Sequence, residues 1–245
     1  MESIPEYHVP KGVVLVLILF LCAANSPIYS DKAKLLSTGP GRFVFTDVKG
    51  NRNKPITVWY YQPKDLLPTA RVVFVMHGVK RNGKEYRDKW IKHAQRGKFL
   101  LVVPEFSEKY YKGSKQYNLG NMFTSSGARI NESKWSFSAI EHLFDHIKRS
   151  THLTSPTYDI YGHSAGAQFV HRLILFKPKA RINKAISANA GWYTFPTFRK
   201  AFPYGLRKSP AKKAYLKKAL GKKLIILLYL LSNYNQDNMC RLFHR

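Results

Sequence analysis

The residues best able to do chemistry form one short run, Gly162-His163-Ser164-Ala165-Gly166. The run fits Gly-x-Ser-x-Gly, a pattern that sets a serine on a sharp strand-to-helix turn. A free hydroxyl is a poor nucleophile, so such a serine needs an exposed position, an adjacent base and a home for the oxyanion it generates. The turn lifts the Ser164 hydroxyl clear of the sheet and aims the Ala165 N–H, with the helix N-terminus, at that oxyanion. The flanking glycines suit a strained backbone with chains packed close. The alternative is a glycine-rich turn with Ser164 as an ordinary helix cap. A second chemically suggestive run is His77-Gly78-Val79. Here His77 reads as a packed, hydrogen-bonded residue at a strand end, holding the loop and taking no protons.

The motif has meaning only if the right elements flank it. Tyr158–Tyr161 (YDIY) reads as a buried strand directly before it, and 165–176 (AQFVHRLILF within it) as the helix after it, stopped by Pro178. Upstream, 43–48 and 56–61 are rich in β-branched and aromatic residues, with Gly50, Asn51 and Asn53 between them, which predicts a hairpin. The continuous apolar runs 71–76 and 99–103 predict strands buried on both faces, the second stopped by Pro104. Residues 85–95 carry Tyr86, Trp90 and Ile91 at helical spacing. Residues 134–148 place Trp135, Phe137, Ile140, Leu143, Phe144 and Ile147 on one stripe. A strand at 184–188, a helix at 211–220 and an apolar strand at 224–231 complete the pattern. Strands alternating with such helices predict a mostly parallel α/β sheet covered on both faces, running as one domain over about 31–245.

The stretch from about 56 to 206 resembles the α/β-hydrolase superfamily. It is most similar to the serine esterases that include polyhydroxyalkanoate depolymerase-like and feruloyl-esterase-like proteins. The resemblance is carried by HGVKRNGKEYRDKW (77–90), VVPEF (102–106), YGHSAGAQFVHR (161–172) and ISANAGWYTFP (186–196). It implies Ser164 as nucleophile and the N–H groups of Val79 and Ala165 as the oxyanion hole. It places Tyr117, Asn118 and Asn121 in a loop beside the site, and Trp192 and Tyr193 on the pocket wall. Ordinary loop packing is the other reading of those two aromatics. No cofactor or metal is implied, and the ligand would be a small or polymeric ester.

A serine hydrolase of this fold also needs an acid and then a histidine downstream, in that chain order. Between 160 and 236 there is no Asp or Glu, and the only later acid is Asp237. The only histidines after Ser164 are His171 and His244. His171 lies on the same predicted helix and reads as packing or surface. Asp237 and His244 are therefore the available partners, but they are close together where the fold places a helix and a strand between them. After Leu228 the sequence departs from the family pattern, as a frameshift or altered gene end would cause. The expectation is a sheet lacking its last strand and helices. A Gly-His-containing continuation in the downstream DNA would support that, and its absence in every frame would refute it.

Composition bounds the rest. The chain has 245 residues and is 44% hydrophobic, 14% aromatic and 22% charged, which excludes a disordered or fibrous protein, while its net charge of +27 bears on partners and not on fold. Cys22 and Cys240 are too few for a disulfide framework or a structural zinc site. Residues 160–236 hold 15 Lys or Arg and no acid. That is either a patch for an anionic surface or polymer, or a solvated Lys-rich face, and no aromatic-interleaved nucleic-acid motif accompanies it. Residues 13–24 form an uncharged run of 12 after Lys11, short for a membrane span of about 20 and suited to the core of an export signal ending near Ala24 or Ser30. The expected location is secreted or periplasmic, or anchored through 13–24.

Overall fold

A computed structural model describes residues 36–228. In chain order these build β1 (Gly39–Phe45), β2 (Ile56–Gln62), β3 (Val72–Met76), α1 (Gly83–Gly97) and β4 (Leu100–Glu105). There follow α2 (Gly113–Gln116), α3 (Ser136–Thr151), β5 (Tyr158–His163), α4 (Ala165–Phe176), β6 (Ile182–Ala188), α5 (Lys213–Leu220) and β7 (Lys223–Leu227). The predicted strand at 224–231 is described only as far as Leu228, and its remainder lies outside the described residues.

The seven strands form one sheet in the order β1-β2-β4-β3-β5-β6-β7. The opening hairpin is antiparallel and joins antiparallel to β4, while every pairing from β4 to β7 is parallel. From β3 the chain first moves to β4 on one side, then crosses to β5 on the other. That reversal opens a crevice at the carboxyl ends of β3 and β5, where open α/β sheets bind ligands. Met76 and Gly162 are register partners there, so the two chemically suggestive runs of the sequence emerge side by side.

Strand alternation divides the core. Val72, Phe74 and Met76 of β3 face α3 and α4 with Phe144, Ile160 and Phe169. Val73 and Val75 face α1, with Trp90, Ala94, Phe99 and Leu101. All five β3 residues are fully buried, each side chain contributing about 1.5–3 kcal/mol relative to exposure. The α3 stripe is buried as its spacing predicts, but the helix starts at Ser136 with Trp135 capping it from extended backbone.

One boundary differs from expectation. Pro104 does not stop β4, which runs on to Glu105 with Pro104 opposite Val58 of β2. The pairing with β3 ends at Val102, so position 104 is flanked by one strand, where a missing N–H is tolerated. No helix among the described residues is long and apolar enough to cross a membrane.

Candidate active site

Ser164 follows the last residue of β5 and precedes the first residue of α4. Its backbone sits at φ 56, ψ −116, which a side chain adopts only when the surroundings enforce it. Three close approaches enforce it here. A Cβ on Gly162 would lie 2.2 Å from the Gly166 carbonyl oxygen, and one on Gly166 would lie 2.1 Å from the Met76 carbonyl oxygen. The first turn of α4 is thus pressed against the end of β3 at a distance only glycine allows. The Ser164 N–H donates to the Ala188 carbonyl at 3.0 Å, tying the turn to β6. The hydroxyl makes no capping hydrogen bond, so Ser164 does not serve as the conventional cap that was the alternative reading.

The loop after β3 lies against this turn. A Cβ on Gly78 would be 3.9 Å from Ser164 Cβ. Val79 follows, with its side chain 73% exposed. His77 is fully buried and locked. Its Nε2 accepts from the Phe106 N–H at 3.0 Å, so its Nδ1–H donates to the Gly78 carbonyl at 2.9 Å. The Tyr117 ring stacks on it at 4.7 Å, and the Tyr117 hydroxyl donates to the His77 carbonyl at 2.7 Å. Burial pushes the His77 imidazole down to about 4, so it is neutral near pH 7.

Ser164 opens onto a cleft of about 380 Å³, lined also by Gly78, Val79, Lys80, Tyr86, Lys89 and His163. His163 Nδ1 is 3.3 Å from the Tyr86 hydroxyl, and burial, followed by the Lys89 charge, lowers its pKa. Glu85 on the same wall is held by Lys89 at 2.6 Å and by Asn82. Those bonds favour its carboxylate and lower its pKa.

The other residues singled out in the sequence make contacts of their own. Asn121 is buried at φ 55, and its amide donates to the Lys134 carbonyl at 2.9 Å. Trp192 stacks under the Arg172 guanidinium at 4.1 Å, and Tyr193 packs on His171 with ring centroids 5.0 Å apart. None of the three lines the cleft beside Ser164. His171 is buried and bonded at both nitrogens, donating to the Ala167 carbonyl and accepting from the Thr194 N–H, each at 3.0 Å. Burial, then the Arg172 charge, takes it down to about 3. Asp237 and His244 lie outside the described residues.

Two organising side chains escaped the sequence reading. Arg81 donates to the carbonyls of Phe106 at 2.7 Å and Gly113 at 2.9 Å and stacks on Tyr117 at 4.2 Å, clamping the loop after β3 to the loop after β4. Arg172 is fully buried on α4. It donates to Thr194 Oγ1 and the Asn118 carbonyl, both at 2.9 Å, and to Gln168 Oε1 at 3.3 Å. A lone arginine in an otherwise apolar helical stretch was the available signal for the second. Nothing local marked the first.

A strained serine elbow at the reversal of a mostly parallel sheet, with a loop from the neighbouring strand against it, defines the α/β-hydrolase architecture. No protein-family model matches the chain, and no curated protein sequence matches it. Solved structures do. A poly(aspartic acid) hydrolase from Sphingomonas sp. KT-1 is 44% identical with a TM-score of 0.76, over 79% of this chain and 72% of that one. A poly(3-hydroxybutyrate) depolymerase from Bordetella parapertussis is 36% identical with a TM-score of 0.75, over 78% and 66%. A fluorophosphonate-binding serine hydrolase from Staphylococcus aureus shares the fold at 15% identity and a TM-score of 0.54, over 85% and 86%. The chain belongs to the esterase-like group of the α/β-hydrolase superfamily.

Proposed function

We propose that the protein is an exported serine hydrolase that cleaves carboxylic esters, in small or polymeric substrates, through an acyl-enzyme on Ser164. The observation that carries this is the strained Ser164, whose hydroxyl is not used as a cap and which opens onto a cleft. Two relatives named for polymer hydrolysis support a polymeric substrate. Ser164 Oγ attacks the carbonyl carbon as a base takes its proton. The Val79 and Ala165 N–H groups hold the oxyanion. Collapse expels the alcohol, which takes that proton back, and water then releases the acid. Asp237 and His244 are the acid and base we assign. The domain spans 31–245, and residues 13–24 direct export or anchor the chain.

Fluorophosphonate labelling of the full chain tests this reading, with Ser164→Ala as control. Labelling that disappears in the variant is the expected result. A folded wild-type protein that takes no label would overturn it and leave a second reading, a hydrolase scaffold without activity. One observation favours that second reading. His77 and His171 are both neutral and bonded through both ring nitrogens, so neither can serve Ser164.

A further inference from the structure

Residues 195–228 contain ten Lys or Arg and no acid. Among the described residues none of these ten forms an ion pair. The same segment supplies six of the ten large apolar side chains that protrude from the described surface, including Phe195 at 59%, Leu220 at 58% and Leu228 at 70% exposure.

These features are contiguous. Phe195, Leu220, Ile226 and Leu228 border an apolar groove of about 420 Å³ with Lys222 on its wall. Helix α5 connects it to a second cleft of about 340 Å³, where Lys179 and Lys212 accompany Tyr215 and Lys177 is paired with Glu132. Lys213 Nζ lies 5.9 Å over the Phe198 ring, and the Tyr204 carbonyl accepts from the Phe195 N–H at 2.9 Å, joining the loop before α5 to the same face.

We propose that this face docks on an anionic lipid surface, with the α5 lysines among the headgroups and Phe195, Leu220 and Leu228 in the boundary with the acyl chains. A second copy of the chain is disfavoured, because it would set ten unpaired cations against ten more. A soluble polyanion would satisfy the cations and leave the apolar side chains in water. A lipid interface rewards both, at about 1 kcal/mol for each lysine near the surface plus the apolar burial. The inference does not depend on the chemistry of Ser164.

Co-sedimentation of the full chain tests it, using vesicles of phosphatidylcholine with phosphatidylglycerol against vesicles of phosphatidylcholine alone. The expected result is binding to the anionic vesicles only, weakening as salt screens the charges. Replacing four exposed lysines (Lys212→Gln, Lys213→Gln, Lys217→Gln and Lys218→Gln together) should lower the partition coefficient on the order of a thousandfold. Leu220→Ser should lower it severalfold, with fluorophosphonate labelling unchanged in both variants. Circular dichroism establishes that each variant is folded, and the wild-type salt titration is an independent check. Equal binding to neutral vesicles would assign the contact to residues 13–24 and overturn the proposal. So would full binding by the quadruple variant. Polyaspartate binding in solution that competes fully, with no effect of Leu220→Ser, would make the face a polyanion site and also overturn it.

Discussion

Gly166 and His77 show how single residues set the serine turn. Gly166→Ala puts a methyl 2.1 Å from a backbone carbonyl of β3, and neither partner is a side chain that can swing away. The substitution should cost about 3 kcal/mol or unfold the site, as overpacking in a rigid core does, read as a lower midpoint in urea denaturation. His77 makes a different prediction, about acid. Its folded pKa is about 4 against an ordinary 6.5, because protonation would place a charge in the core and remove the acceptor of the Phe106 N–H. A depressed histidine pKa means the unfolded chain binds its proton first as pH falls. The stability His77 contributes is therefore complete above about 6.5 and drains away between 6.5 and 4, by at most about 1.4 kcal/mol per pH unit. His171 adds a loss of the same sign down to about 3. Denaturant titrations at stepped pH should show this decline, and His77→Gln should make it shallower while lowering stability at neutral pH.

Helix α4 acts as an anchor for elements distant in sequence. Through Arg172 it holds Asn118 in the loop after β4 and Thr194 in the loop after β6, with Trp192 stacked on the guanidinium. A buried guanidinium is costly unless its hydrogen bonds are made, and burial alone pulls its pKa to about 9. Arg172→Lys keeps the charge but loses the planar fork, so it should destabilise by about 2–4 kcal/mol. Arg172→Met should cost a similar amount by stranding the buried Asn118 carbonyl oxygen and removing the donor to Thr194 Oγ1. Thermal melts check both. If the helix serves only to pack, the methionine variant will melt with the wild type.

For the whole molecule the dominant fact is charge. With 41 basic and 14 acidic residues, the folded chain repels itself, most strongly over 160–236, where no acid interrupts the basic residues. Raising ionic strength from about 0.01 to about 0.15 M shortens the Debye length from about 30 to about 8 Å. The melting temperature should rise by a few degrees over that range, followed by circular dichroism. An unchanged or falling midpoint would mean that ion pairs such as Arg181 with Glu141 and Asp145 outweigh the repulsion.

The periodicity of the chain was enough to place β3, α3, α4 and β5, because fully buried strands and amphipathic helices must carry continuous or striped apolar residues. The serine turn was legible for a related reason. Its glycines are required by backbone contacts only a few residues or one strand away. What periodicity could not show was anything set between elements. Pro104 reads locally as a stop, yet β4 runs through it because one neighbouring strand has already ended. Asn121, Trp192 and Tyr193 have the chemistry of pocket residues, and the hydrogen bond and ring contacts each makes come from elements that spacing along the chain does not reveal. Arg81 looks like an ordinary surface cation until the fold surrounds it with carbonyls, and the apolar neighbours of Arg172 mark its burial without naming its partners. Strand order decided which loops meet Ser164, because pairing depends on contacts between segments that the sequence holds far apart.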